Sequence, residues 1–89
     1  MKDIEIIPLA IKKIAQRKIK DEWIKEAISN PDQKVNGYGG RLVAQKRIKV
    51  KGKEKLLRVV YEETSTVVLV ITAYLTSQIE RYWGENLWR

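Results

Sequence analysis

The chain has 89 residues and a net charge of +7, and it contains neither cysteine nor histidine. This composition excludes a disulfide framework and cysteine nucleophile chemistry. Carboxylates are the only side chains left that could bind a zinc ion. We therefore expect a single domain over residues 1–89 that folds by packing, without a metal or another cofactor.

The first predicted elements are two helices. Ile4–Ile7 is a short apolar stretch that ends at Pro8, a residue suited to the first turn of a helix because its nitrogen has no hydrogen to donate. Apolar residues then recur at helical spacing and predict one helix over Pro8–Lys18. A second helix is predicted to begin near Lys20 and to end at Ser29 or Asn30, because a proline follows.

The apolar period changes from helical spacing to two after Asn36–Gly40. That glycine-rich stretch lacks the Lys-Ser/Thr of a phosphate-binding loop, so we interpret it as a turn between strands. The alternation that follows predicts a half-buried strand with one basic face. Its apolar face carries Leu42, Ala44, Ile48 and Val50, and its polar face carries Arg41, Gln45, Arg47 and Lys49.

The remaining chain predicts two further strands and a short helix. Lys51–Glu54 is expected to form a hairpin turn before a strand over Leu56–Glu62. Val67–Tyr74 is apolar on both faces, which is typical of a central strand covered on two sides. Ser77 and Glu80 have the spacing of a capping box, which predicts a short C-terminal helix.

The C-terminal segment places large apolar residues where no separate core can form. They are Tyr82, Trp83, Leu87 and Trp88. This segment either folds back over the sheet or forms a homodimer contact, and folding back is favoured because a small sheet needs cover on its second face. The N-terminus is interrupted by charges and no apolar run is long enough for a bilayer, so we expect a cytoplasmic protein without a membrane partner.

The excess positive charge is concentrated in one hairpin. Between Arg41 and Arg58 there are eight basic residues and one acidic residue, whereas the charges of the other segments cancel. Such a local excess favours a polyanion-binding surface. The alternative is a solvated edge that lysines protect from aggregation. The predicted nucleic-acid-binding residues are Arg41, Lys46, Arg47, Lys49 and Lys51.

Four motifs occur in order along the chain. They are Leu9-Ala10-Ile11-Lys12-Lys13-Ile14-Ala15-Gln16-Arg17-Lys18-Ile19, Asn30-Pro31-Asp32, Arg58-Val59-Val60 and Thr72-Ala73-Tyr74. Together they resemble the bacterial and archaeal family labelled domain of unknown function 4258, whose N-terminal signature reads His-Ala-x-x-Arg-Met-x-x-Arg-x-Ile. The resemblance extends over roughly residues 4–75.

The resemblance implies an α+β fold similar to that of RelE-type toxins and small ribonucleases. In that fold two N-terminal helices pack on one face of a four-stranded antiparallel sheet, and here a short C-terminal helix or tail would follow. Relatives in this wider group cleave RNA, some of them on the ribosome, and the toxins are neutralised by an antitoxin protein. RNA and an antitoxin are therefore the partners that the resemblance implies.

The chain departs from the signature at a position where an acid or base would be expected. Leu9 replaces the family histidine, and Lys13 and Arg17 occupy its arginine positions. Without histidine, no side chain has an ordinary pKa near neutrality, so metal-free RNA cleavage would depend on positioning and charge stabilisation. The candidate catalytic residues are Arg58, Arg17, Lys13, Tyr74 and Thr72.

Arg58 is the central candidate because a guanidinium on the polar side of an apolar strand can hold a phosphate with two hydrogen bonds. The alternative role for Arg58 is an ion pair with Glu62 on the same face. The leading hypothesis is a metal-independent, RNA-directed ribonuclease-like protein of toxin–antitoxin type. Two other hypotheses are a non-catalytic nucleic-acid-binding module of the same fold and a homodimeric protein-interaction domain.

Overall fold

Alternating side chains in three long strands build the sheet around which the protein is organised. The computed structural model describes residues 2–84. In chain order the elements are β1 (Asp3–Ile6), α1 (Pro8–Gln16), α2 (Asp21–Ser29), β2 (Gln33–Asn36), a 3₁₀ turn (Tyr38–Gly40), β3 (Leu42–Val50), β4 (Lys53–Glu63), β5 (Val67–Thr76) and α3 (Ile79–Tyr82).

The sheet has five strands in the order β1-β5-β4-β3-β2. Strand β1 runs parallel to β5, and the other neighbours are antiparallel. The α+β class is thus confirmed, but the prediction of a four-stranded antiparallel sheet is wrong. The short N-terminal apolar stretch is itself a strand, and its partner lies near the other end of the chain, where a local pattern gives no indication of the pairing.

Both predicted helices are confirmed, and they pack on one face of the sheet. Helix α1 ends at Gln16, before the predicted Lys18, because Lys18 adopts a left-handed backbone conformation with φ of 57°. Helix α2 ends at Ser29, as predicted from the proline that follows. The buried core between helices and sheet contains Ala10, Ile14, Ile19, Ile24, Ala27, Ala44, Leu57, Val59, Tyr61, Val68, Val70 and Ala73.

The opposite face of the sheet is partly covered by the short helix α3. Its confirmed position brings Tyr82 and Trp83 back over the strands, with both rings against arginines. The predicted capping box is wrong, because α3 begins at Ile79 and no side chain caps it. Leu87 and Trp88, the other residues of the predicted apolar tail, lie outside the described residues.

The helices of the described part of the chain are short. None of those in residues 2–84 is long and apolar enough to cross a membrane.

Candidate nucleic-acid interface

Arginine and aromatic side chains meet on the sheet face that is opposite α1 and α2. The strand registers align Gln45 of β3, Arg58 of β4 and Tyr74 of β5 in one row across the sheet. Their side chains point to the same side because residues directly opposite each other on neighbouring strands share a face of the sheet. The alternation predicted from the sequence therefore places Arg58 and Tyr74 together.

Arg58 is half-buried, and its contacts in the described part of the chain are with neutral groups. Its Nε donates a hydrogen bond of 2.8 Å to Oε1 of Gln45, and its Nη1 donates to the hydroxyl of Tyr74. The guanidinium also lies 4.1 Å from the ring centre of Tyr82. Such a cation, partly withdrawn from water and without a carboxylate partner within residues 2–84, is suited to binding an anion.

The alternative role for Arg58, an ion pair with Glu62, is not what the structure shows. Glu62 instead accepts a hydrogen bond of 3.1 Å from Nε of Arg41. Both side chains of that pair are about half exposed, so the pair contributes little to stability. Arg41 is therefore at the margin of the face with its charge largely matched, whereas Arg58 is near the centre.

Gln45 holds Arg58 in place and was not singled out by the sequence. It is fully buried, and its Nε2 donates to Oε1 of Gln33 and to the backbone oxygen of Tyr82, both at 3.3 Å. Because Oε1 of Gln45 accepts from Arg58, the amide orientation is defined at both ends. Nothing in the sequence indicates this burial, since Gln45 follows the polar alternation of an ordinary exposed position.

Arg17 reaches the same face from the end of α1. Its Nη1 donates to the backbone oxygen of Ala73 at 2.8 Å and lies 3.4 Å from the hydroxyl of Thr72. The carbonyl of Ala73 is accessible because β1 pairs only with the first part of β5 and ends at Ile6. Arg17 thus completes the hydrogen bonding of a sheet edge.

Four of the five candidate catalytic residues are brought together. Thr72 and Tyr74 are successive outward positions of β5, about 7 Å apart, and each has a guanidinium against its hydroxyl. Lys13 is exposed on α1, one turn before Arg17, and takes no part in these hydrogen bonds. The structure therefore groups Arg58, Arg17, Tyr74 and Thr72 and leaves Lys13 aside.

The candidate RNA-binding cations are divided between the two faces. Arg47 and Lys49 are exposed on the same face as Arg58, and Lys51 is in the turn at the end of β3. Lys46 is on the helix side, where its ammonium donates to the backbone oxygen of Asn30 at 2.9 Å. The period of two already aligns Lys46 with the apolar face of β3, so this placement follows from the alternation itself.

Within residues 2–84 the guanidinium of Arg47 contacts one ring and one carboxylate. Its guanidinium is 4.2 Å from the ring centre of Trp83, and its Nη1 is 3.5 Å from Oε1 of Glu54. Within residues 2–84 no three acidic residues are grouped so that they could hold a metal ion. The chemistry that the described side chains offer is therefore cationic, hydroxylic and aromatic.

Comparison with known proteins gives one match. The family described as "Domain of unknown function (DUF4258)" matches residues 10–75. No curated protein and no solved structure matches the chain. The match confirms the family resemblance carried by the four motifs, while the similarity to RelE-type toxins stays a prediction.

Proposed function

The chain belongs to the DUF4258 family, and from its site we propose that it binds single-stranded RNA on the sheet face opposite α1 and α2. The observation that carries this proposal is the half-buried Arg58, which is held by Gln45, Tyr74 and Tyr82 and has no carboxylate partner within residues 2–84. A phosphate at this point would supply the missing negative charge and accept charge-assisted hydrogen bonds.

The surroundings of Arg58 support a polymer more than a single anion. Arg17 and Arg58 contact successive outward positions of β5, and Arg47 and Lys49 continue the positive charge along β3. Such a line of cations can follow a phosphate backbone and gain affinity by releasing counterions.

Aromatic rings beside the arginines favour an unpaired strand over a duplex. Tyr74, Tyr82 and Trp83 each lie within 6 Å of a guanidinium, and bases that are not paired can stack on such rings or on the arginine planes. The hydroxyls of Thr72 and Tyr74 are next to these cations and offer partners for the ribose 2′-hydroxyl.

The proposal is tested with Arg58→Ala and with Lys25→Ala as a control that removes one charge from α2, on the other face. Fluorescence anisotropy with a labelled single-stranded RNA measures the affinity. We expect Arg58→Ala to weaken binding roughly tenfold or more, since a charge-assisted hydrogen bond contributes about 1.5–3 kcal/mol. Lys25→Ala should change it little.

Arg58→Lys separates geometry from charge. It keeps the positive charge but loses the planar fork, so its affinity should be intermediate. Circular dichroism checks that each variant is folded. Equal RNA affinity for wild type, Arg58→Ala and Lys25→Ala would contradict the proposal.

RNA cleavage without a metal is a second candidate function, favoured by the contact between Nη1 of Arg58 and the hydroxyl of Tyr74. In this reaction the ribose 2′-hydroxyl gives its proton to water while its oxygen attacks the adjacent phosphorus, the bond to the 5′-oxygen breaks, and a 2′,3′-cyclic phosphate forms. Arg58 would stabilise the charge on the phosphorane, and Tyr74 would donate a proton to the leaving oxygen and regain one from water. This function is the one expected of a toxin that an antitoxin restrains.

Cleavage is distinguished from binding by incubating RNA with the protein in the presence of EDTA. A ribonuclease should generate fragments with 5′-hydroxyl ends, and Tyr74→Phe should lose cleavage while keeping RNA affinity. Intact RNA after incubation with the folded wild-type protein would reject the catalytic function and leave the binding function.

A further inference from the structure

A cavity of about 550 Å³ lies where β5 meets α3. It is lined by two arginines, two glutamates and the three residues that lead into and begin α3. They are Arg47, Arg81, Glu54, Glu80 and Ser77–Ile79. Its volume is within the range of pockets that hold one small molecule, roughly 300–1,000 Å³, so a single nucleobase would fit.

The cavity adjoins the proposed RNA surface. Arg47 aligns with Leu56 and Thr76, and this row of the sheet is two residues beyond the row of Arg58. Two residues along a strand correspond to about 7 Å. A base whose phosphate is bound at Arg58 can therefore reach the cavity.

One side of the cavity offers a flat cationic surface. The guanidinium of Arg47 lies 4.2 Å from the ring centre of Trp83, and Trp83 does not line the cavity. Because Arg47 lines the cavity and Trp83 does not, a base in the cavity would meet the side of Arg47 that is not against Trp83. Arginine planes supported in this way are stacking surfaces for unpaired bases.

The polar groups of the cavity select among the bases. Glu80 is exposed and has no ion pair within residues 2–84, and Arg81 donates to Oε1 of Gln78 at 3.3 Å with one of its five N–H groups. A carboxylate needs two neighbouring donors on a base, and a guanidinium needs two neighbouring acceptors. Guanine offers both, with N1–H and N2–H₂ on one edge and O6 and N7 on the other.

We propose that this cavity is a guanine-binding subsite of the RNA surface. The base stacks on Arg47, its N1–H and amino group donate to Glu80, and its O6 and N7 accept from Arg81. Adenine and cytosine present an acceptor next to their amino group, so a carboxylate would be opposed by a lone pair. The subsite deepens the proposed RNA-binding function and rests on it for its biological ligand.

The test compares a short oligouridine with the same oligomer carrying one central guanosine, adenosine or cytidine. The wild-type protein should bind the guanosine-containing RNA roughly tenfold more tightly than the other three. Glu80→Gln should abolish this preference, so that the four oligomers bind with similar affinity. Glu22→Gln, which removes an exposed carboxylate from α2, is the matched control and should keep the preference.

A second measurement uses free nucleotides, so that the guanine subsite and the RNA surface are tested independently. Two-dimensional NMR with GMP, AMP, CMP and UMP should show shifts around Arg47 and Arg81 for GMP above all. If all four oligomers bind equally well and GMP is not preferred, the subsite is wrong and RNA binding stands. If GMP binds through Glu80 but no oligomer binds, the RNA surface is wrong and the guanine site stands.

Discussion

Gln45 illustrates how one buried polar residue connects the fold to the site. Its amide is fully buried and joins Gln33, Arg58 and the backbone of Tyr82. Buried polar groups are stabilising only while all of them are paired, because an unpaired donor or acceptor has lost its water without compensation. The side chain therefore orients Arg58 and attaches α3 to the sheet.

Replacing Gln45 by leucine should destabilise the protein. Gln45→Leu keeps a similar volume but removes the acceptor of Arg58 Nε and the donor to Tyr82, which should reduce the free energy of unfolding by about 1–3 kcal/mol. Urea denaturation measures this loss. Gln16→Leu, at an exposed position on α1, is the control. An unchanged urea midpoint for Gln45→Leu would show that the amide network contributes nothing.

The ionisation of Tyr61 should make the protein less stable at alkaline pH. Burial, and secondarily the negative charge of Glu63, raises the pKa of Tyr61 to about 12 from 10.0. Because the folded-state pKa is the higher one, the stabilisation is complete below pH 10 and is lost as the pH rises toward 12. Over this range the unfolded chain ionises first, which should reduce stability by up to roughly 2 kcal/mol.

Tyr61→Phe isolates this effect because it removes the ionising group. The free energy of unfolding of the variant should fall less between pH 9 and pH 12 than that of the wild type, because the pKa of Tyr61 is about two units higher in the folded state than in the unfolded state. Denaturation at a series of pH values measures this difference. Tyr38→Phe is the control, since Tyr38 is 98% exposed. Parallel pH profiles for wild type and Tyr61→Phe would mean that the Tyr61 hydroxyl is not the responsible group.

Among the elements, the β3–β4 hairpin shows local strain. Its two-residue turn consists of Lys51 and Gly52, with φ of 53° and 80°, which is the type I′ geometry favoured by the twist of paired strands. Glycine adopts this conformation freely, but lysine does so at a cost. The sequence predicted a turn over Lys51–Glu54, but Lys53 and Glu54 already belong to β4. The unfavourable lysine conformation is visible only in the backbone.

Lys51→Asn should stabilise the protein by about 0.5–1 kcal/mol, because Asn-Gly is the preferred type I′ pair and asparagine tolerates positive φ. Thermal denaturation measures the gain. Lys55→Asn makes the same change inside β4 and should give no gain, since strand positions disfavour asparagine. A lower melting temperature for Lys51→Asn would contradict this reading of the turn.

At the scale of the whole molecule, the two faces of the sheet have different roles. One face buries the apolar core beneath α1 and α2, and the other carries the cations and aromatic rings. Exposed charges of this face, such as Arg41, can therefore be removed without changing the core, whereas Arg58 also pairs with the buried Gln45.

The division predicts a defined salt dependence. Each phosphate contact to a single strand contributes about −0.7 to the slope of log affinity against log salt, so three or four contacts should give a slope of about −2 to −3. Arg58→Ala should make the slope less negative by about 0.7, the contribution of one contact, and Lys25→Ala should leave the slope unchanged. Affinity that is independent of salt would exclude a phosphate-tracking surface.

Local sequence patterns were sufficient to predict both long helices, the three long strands and the chemistry of one face. Helical and twofold apolar periods reflect local preferences, so they correctly predicted α1, α2, the three long strands and the shared side of Arg58 and Tyr74. The ordered motifs likewise sufficed for the family.

The way these parts meet became known from the folded protein alone. The parallel pairing of β1 with β5, the reach of Arg17 to Ala73, and the return of α3 over Arg58 join residues far apart in the chain. Such contacts depend on how complete surfaces pack and on which backbone groups remain unpaired at a sheet edge. A local sequence pattern shows neither how distant surfaces pack nor which backbone groups stay unpaired. The pairing of β1 and the burial of Gln45 therefore became apparent only in the folded protein.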